Sequence, residues 1–415
     1  MKMIKAKPEL LIPAGSLEVL KTAVIFGADA VYIGGETLSL RAKAKNFDFN
    51  VMGEGIEFAH KHKVKVYVTA NIFAHNEDLN EARMYFNELK GIKPDALIIA
   101  DPGMFTLAQE ICPEIPVHIS TQANNTNYLT YCFWYGQGVK RVVAARELSL
   151  VEIAGIRKNI PDDMEIEAFI HGAMCISYSG RCLLSNYFTE RGANQGACTH
   201  PCRWKYAVVE EQRPNEFLPV FENERGSYIF NSRDLCMIEF IPELVSAGIN
   251  SFKIEGRMKT ALYVATVTRT YRKAIDDFFI SEQVYRGNMD WYLTEISRCT
   301  YRHFSTGFYF GKTDETSQIY ENNSYLSEST YLGTISSYDE SKGARFEQKN
   351  KFAVGDVIEI MKPNGLNIPV TVLGLTDESG NPVPDAPHSR QVLYVTLTTP
   401  PDIGDILRCN LRRNP

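Results

Sequence analysis

The sequence predicts an α/β fold: a TIM-like (β/α)8 barrel with a Cys-rich insertion between strands seven and eight, followed by a small C-terminal antiparallel β-barrel domain. Three observations carry that expectation. Eight short apolar, β-branched runs alternate with helix-like stretches over roughly the first 280 residues. Four of the nine cysteines fall between Cys175 and Cys202, in the gap between the last two runs. Beyond Tyr331 the pattern changes to short alternating runs separated by glycine and proline.

The eight runs are LLIPAG (10–15), AVYIGG (30–35), VKVYVTAN (64–71), ALIIAD (96–101), VHISTQA (117–123), RVVAARE (141–147), IEAFIHG (166–172) and FKIEGR (252–257). Each is nearly continuous in apolar residues, the mark of a parallel strand covered on both faces. Between them SLEVLKTAVIFG, NEDLNEARMYFNELKG and ELSLVEIAGIRKN repeat apolar residues at helical spacing, with Ser16 placed as an N-cap. Eight such units close into a barrel, a fold of typically ~250 residues. The excess length lies in the insertion, at about 172–245.

The expected domains follow from these patterns. Residues 1–282 form the catalytic barrel, ending in the amphipathic helix ALYVATVTRTYRKAIDDFF. Residues 283–328, rich in Tyr, Ser and Asn, read as a partly extended linker. Residues 329–415 carry YLGTISSY, ARFEQKN, DVIEIMKP, PVTVLGL and VLYVTLTTP, the pattern of a small β-barrel. No catalytic group stands out in that tail, which suits partner or nucleic-acid binding, or support of the larger barrel.

Composition narrows the function classes. Hydrophobic residues at 44% and charged residues at 23% build an ordinary globular core. A net charge of −6 argues against a surface coated in positive charge for nonspecific nucleic-acid binding. A local excess of cations nevertheless surrounds the cysteines. No apolar run is long enough to cross a bilayer, and Pro13 interrupts the only candidate leader. The expected compartment is the cytoplasm, where clustered cysteines serve as metal ligands or redox groups rather than disulfides.

In a TIM barrel the chemistry sits at the carboxyl ends of the strands. Asn71, Asp101, Gln122, Arg146, Glu147, His171, Glu255 and Arg257 fall there. Taken singly, each reads as a capping or hydrogen-bonding residue. Taken as a ring of polar groups around one mouth, they read as a substrate site.

The cysteine spacing is C-x6-C-x15-C-x3-C, from Cys175, Cys182, Cys198 and Cys202, with Cys236 following. Four thiolates are what a [4Fe-4S] cluster requires. Zinc is the second choice, because only Cys198 and Cys202 approach a knuckle spacing. Gly172, Gly180, Gly192, Gly196 and Pro201 supply turns rather than a regular core. Cys112, Cys132, Cys299 and Cys409 read as small apolar residues. Cys175, Cys182 and Cys198 are the expected ligands, with Cys202 and Cys236 competing for the fourth position.

These residues carry a resemblance. EAFIHGAMCISYSGRCLLSNY resembles the signature of peptidase family U-32, the collagenase-like group. PELLIPAGSLEVLKTAVIFGADAVYIGG, YIFNSRDLCMI and SFKIEGRMKTALYVATVTRTYRKAIDDF resemble its other blocks, from about Pro8 to Phe278. The tail is similar to the short C-terminal domain of some members. Through a branch of the family that modifies RNA, the resemblance implies iron–sulfur-dependent, oxygen-independent hydroxylation. The implied product is 5-hydroxyuridine at the tRNA wobble position, with prephenate as the co-substrate. In relatives with paired chains, one partner resembles this chain in a cysteine at the position of Cys236 and lacks one at that of Cys202.

On that reading a base is flipped into the barrel mouth. Tyr178, Tyr187, Phe188 or Trp204 could stack on loop bases, and Arg181, Arg191, Arg203, Lys205 and Arg41 could contact phosphates. Lys43 and Lys45 flank Arg41 at alternating positions. Arg257 and Arg146 are candidates for holding a carboxylate, given the guanidinium fork. Equally, they could pair with Glu255 and Glu147. His171 would donate a proton or orient its loop, and Glu255 completes the catalytic set.

Two alternatives stand beside this reading. A peptidase would need a nucleophile or metal motif, and neither H-E-x-x-H nor G-x-S-x-G occurs. His171 and Cys175 could form a Cys–His pair, but thiolates committed to a cluster are not nucleophiles. The third reading is a non-enzymatic, metal-stabilised RNA-binding module, against which a mouth lined with His171, Arg146, Lys253, Glu255 and Arg257 argues.

Overall fold

A computed structural model of the chain describes residues 6–39, 47–175, 179, 182, 184–189, 191, 193, 198–199, 201, 207–210, 213–219, 231–311, 318–319, 327–339 and 341–410. Eight parallel strands close into a barrel. They are β1 (Glu9–Pro13), β2 (Ala30–Gly34), β3 (Lys65–Ala70), β4 (Ala96–Ile99), β5 (Val117–Ile119), β6 (Arg141–Val143), β7 (Glu165–Ala173) and β8 (Ser251–Ile254). Neighbours pair in chain order, and β8 pairs with both β1 and β7, which closes the ring. Every predicted strand is present.

The buried β-branched residues of these strands leave little room for water on either face, as a two-sided parallel strand requires. Val31, Val66, Val68, Ile99, Val142, Ile166 and Phe252 are buried. Leu11, Ala30, Tyr32, Tyr67, Ala96 and Ile98 form one apolar cluster. Helices α1 (Leu17–Ile25), α2 (Phe49–Lys61), α3 (Leu79–Ile92), α4 (Pro102–Ile111), α5 (Tyr128–Gly136) and α6 (Leu150–Asn159) alternate with the first seven strands. Their starts are specified locally. Asp48, Asp101, Asn127 and Ser149 each accept the N–H three residues on, and Ser149 with Glu152 completes a capping box.

Between β7 and β8 the chain carries helix α7 (Leu184–Thr189) and a hairpin of Ala207–Glu210 with Arg213–Pro219. A short strand, Asp234–Cys236, then runs antiparallel to the end of β7. Phe304–Ser305 adds to its other edge in parallel.

The tail is a second closed barrel of six antiparallel strands. They are β9 (Ser329–Asp339), β10 (Gly343–Glu347), β11 (Val357–Met361), β12 (Asn367–Thr376), β13 (Val392–Leu397) and β14 (Ile406–Asn410), in the order β9-β10-β13-β12-β11-β14. Leu332, Phe346, Ile360, Val372, Leu393 and Leu407 are among the residues that fill it.

Three expectations are corrected. The stretch 283–328 is not a linker throughout: Glu282–Gly287 and Met289–Ser297 are helices. Tyr285, Tyr292 and Ile296 recur at helical spacing and are fully buried, and Ser281 caps the first helix. The boundary after 282 also moves, because residues 259–301 group with the C-terminal barrel. Helix Ala261–Ile280 is buried on nearly all sides rather than amphipathic, with Arg269 and Asp277 among its buried residues. Within this unit Arg269 binds Glu295 and the Lys362 carbonyl at 2.8 Å, and Arg408 reaches Glu359 at 2.6 Å. Burial lowers the Arg269 guanidinium to about 10, even beside Glu295.

Candidate functional site

The interior of the parallel barrel is charged. Glu9, Arg141, Glu167 and Lys253 come from β1, β6, β7 and β8, and the last three are at most 4% exposed. Lys253 donates to Glu167 at 2.6 Å, and Arg141 reaches Glu9, Glu165 and Glu167. Unpaired, each charge would carry a heavy desolvation penalty; paired, they fix one arrangement of side chains. Burial raises the Glu9 carboxyl, but the charge and hydrogen bonds of Arg141 prevail and hold it below its usual value. Burial, and then the charges of Arg141, Lys253 and Lys65, push the His118 imidazole well below its ordinary range. His118 stands edge-on to Tyr67 with ring centroids 4.7 Å apart.

Above this layer lies the mouth. The Lys253 ammonium sits 4.5 Å over the ring of Tyr32, whose hydroxyl donates to the Ile254 carbonyl at 3.0 Å and to Glu255 at 3.5 Å. Arg146 lies 4.0 Å over the Phe169 ring and reaches Glu255 at 3.5 Å and the Ala173 carbonyl at 3.4 Å. His171 is buried, its ring 5.6 Å from that of Phe304, and its carbonyl accepts the Glu255 N–H at 2.8 Å. Gly172 follows at φ +108°, and a Cβ there would stand 2.4 Å from the Glu255 carbonyl oxygen. Only glycine allows that approach. Arg146, Glu255 and His171 are therefore brought together, and the carboxylate partner of Arg146 is Glu255, not Glu147.

Arg257 meets a different part of the rim. Its guanidinium is buried, donating to Thr69 and Ser39 at 3.1 Å each. A Cβ on Gly34 would lie 2.2 Å from Nη1, so glycine at the end of β2 makes the seat for this arginine.

Several predicted rim residues have ordinary structural roles. Asp101 caps α4 by accepting the Met104 N–H at 2.9 Å. Asn71 donates to Ser120 at 3.4 Å, and Gln122 lies in the short 3-10 helix Thr121–Ala123. Glu147 takes on a role that was not foreseen: it accepts the Ser179 N–H at 2.6 Å and its hydroxyl at 3.4 Å.

Cys236 is buried and stands opposite His171 in the antiparallel pairing. Cys175 follows two residues after β7 and is exposed, Cys182 is half-buried and Cys198 exposed. Among the described residues no three His, Cys, Asp or Glu are gathered to hold one metal ion. Cys202 lies outside the described residues, as do Arg41, Lys43, Lys45, Tyr178, Arg181, Arg203, Trp204 and Lys205. Arg191 and Phe188 are exposed. By chemistry the donor set fits an iron–sulfur cluster: soft thiols are what its irons bind.

Sequence reasoning put Lys253 at the mouth, whereas it is buried on Glu167 within the barrel; it missed the interior charges Glu9, Arg141 and Glu167, Ser179, and the pair Asp234–Arg302. The signal for the interior charges was present: a lone charge inside an apolar barrel strand, such as Glu167 in IEAFI, has only the lumen to face.

No helix among the described residues is long and apolar enough to cross a membrane. The profile of peptidase family U32 matches residues 15–319, and that of the peptidase family U32 C-terminal domain matches residues 327–408. The chain is 40% identical over 397 residues to the tRNA hydroxylation protein P1 of Bacillus subtilis, covering 95% of this chain and 93% of that one. It is 38% identical to the tRNA hydroxylation protein P of Escherichia coli, with coverage of 96% and 95%. It is also 36% identical to the 23S rRNA 5-hydroxycytidine C2501 synthase of Escherichia coli, covering 65% of this chain and 39% of that protein.

Proposed function

The chain belongs to peptidase family U32, and from that premise we propose that it is a cytoplasmic RNA-modifying enzyme that hydroxylates tRNA. The observation that carries the reading is the likeness, over nearly the full length of both chains, to proteins named for tRNA hydroxylation. The finer reading is conversion of uridine to 5-hydroxyuridine at the wobble position, without molecular oxygen.

Cys175, Cys182 and Cys198, with Cys202 or Cys236, would hold the [4Fe-4S] cluster. When bound, the cluster supplies one-electron chemistry at iron. The other roles belong to the side chains of the mouth. A base turned out of a single-stranded loop can enter there, and exposed Arg191 and Phe188 can meet phosphate and base. Arg257, whose fork meets two hydroxyl groups, would bind a carboxylate such as prephenate. Glu255, bonded to Arg146 and Tyr32, can accept a hydrogen bond from an entering base. His171, buried and joined to Glu255 through the main chain, can hold or move a proton at an imidazole nitrogen.

The test is nucleoside mass spectrometry of tRNA and rRNA, separated, from cells lacking the chain. Loss of 5-hydroxyuridine from tRNA is expected. Unchanged tRNA with loss of a hydroxylated nucleoside from rRNA would move the substrate. No change in either, together with peptide cleavage by the purified chain, would favour the peptidase reading.

A further inference from the structure

The dipeptide Arg146–Glu147, just past β6, sends its two side chains to two points on the segment that follows β7. Arg146 Nη1 donates to the Ala173 carbonyl at 3.4 Å. Glu147 Oε1 accepts the Ser179 N–H at 2.6 Å, while Oε2 accepts its hydroxyl at 3.4 Å. Ala173 lies two residues before Cys175 and Ser179 four residues after it, so Cys175 is bracketed by the two contacts. Ser179 is 8% exposed, and its hydroxyl also lies 3.4 Å from that of Thr121, which itself donates to the Ala144 carbonyl at 3.0 Å. A residue of the β7–β8 insertion is thus held against the ends of β5 and β6.

We propose that Glu147 is a positioning residue: its carboxylate anchors Ser179, four residues after Cys175 and three before Cys182, to the barrel rim. The short contact from a carboxylate to a backbone N–H is of the stronger, charge-assisted kind. Because it is made to the main chain, it fixes the backbone rather than one rotamer. The anchor itself follows from the geometry; its consequence for RNA hydroxylation rests on the function proposed above.

The test compares the full chain with Glu147→Ala, Glu147→Asp and Glu147→Gln. Hydrogen–deuterium exchange, resolved to the Ser179 amide, is read first. Glu147→Ala is expected to speed exchange there by at least about tenfold, with barrel amides and the thermal midpoint unchanged. Glu147→Asp, shorter by one methylene, is expected to behave like it. Glu147→Gln keeps an oxygen acceptor and is expected to retain most of the protection. Equal Ser179 exchange in wild type and Glu147→Ala would overturn the anchor, whatever the chain does to RNA. The second readout is 5-hydroxyuridine in tRNA of a deletion strain complemented with each variant. A several-fold loss with Glu147→Ala and recovery with Glu147→Gln supports positioning. Full activity of Glu147→Ala despite a released Ser179 overturns it. If wild type itself restores nothing, the functional reading has failed while the exchange result still decides the anchor.

Discussion

Asp234 and Arg302 form a buried ion pair that joins three strands at the rim. Arg302 gives Asp234 its Nη2 at 2.7 Å, its Nε at 3.1 Å and its backbone N–H at 3.1 Å. Asp234 stands opposite Ala173 on one side and Phe304 on the other. The pair therefore sets the register that places Cys236 across from His171 and the Phe304 ring beside the His171 imidazole.

Removing one partner of this pair should cost more than removing both. Arg302→Met leaves a carboxylate buried without its cation, a loss of ~3–5 kcal/mol. In the double variant Asp234→Leu/Arg302→Met no charge is stranded, and the loss should be clearly smaller. Denaturant titration of the three proteins checks this, and equal losses would show that the charge is not desolvated.

Gly34→Ala should separate Arg257 from its seat without unfolding the barrel. The new Cβ would occupy space 2.2 Å from Nη1 and 2.9 Å from the Thr69 hydroxyl oxygen. The guanidinium is the movable end of its side chain, so the expected result is a displaced arginine in an otherwise folded chain. We expect at least a ~10-fold loss of hydroxylation, by analogy with the cost of misplaced active-site groups. Arg257→Lys should fail too, since an ammonium cannot span Thr69 and Ser39 as the fork does. Nucleoside analysis of complemented cells, paired with thermal unfolding, reads both quantities.

Stability should fall as the pH drops below about 6.5. Burial and the neighbouring cations keep His118 neutral in the folded chain, whereas the unfolded chain takes up its proton near that pH. The unfolded state then binds more protons, and each such proton costs up to ~1.4 kcal/mol per pH unit. Glu9 acts in a lower window: its carboxyl is held below the usual value, so its contribution is present above about pH 4.5 and is lost as the pH falls through its folded value. Between these limits His118→Gln should flatten the slope measured by denaturant titration. An unchanged slope would contradict a neutral buried imidazole.

The architecture was legible because each barrel strand is an apolar run too short for a helix and bounded by a polar or glycine residue. What the sequence concealed are relations between distant residues. Asp234 and Arg302 are 68 positions apart, and Arg141 and Glu9 are 132 apart. Nothing in the local pattern of either announces its partner. The helices at 282–297 were obscured by the stretch rich in tyrosine, serine and asparagine that follows them, although Tyr285 and Tyr292 lie seven positions apart and both are buried. Glu147 was recognised as a rim residue, but its partner Ser179 comes from the insertion and has no motif of its own.

Chain purified without oxygen should contain about four iron and four sulfide per polypeptide. Cys175→Ser, Cys182→Ser and Cys198→Ser should each lose most of that iron. Comparing Cys202→Ser with Cys236→Ser identifies the fourth ligand, since only one of them should behave like the other three. Zinc without sulfide in the same preparation would replace the cluster by the second-choice metal.

The most direct measurement is the 5-hydroxyuridine content of tRNA from a deletion strain that expresses either the wild-type chain or Cys175→Ser at the same level. If the thiols beside the barrel mouth and the mouth itself form one reaction site, wild type restores the nucleoside and Cys175→Ser does not. Full restoration by Cys175→Ser would contradict the account.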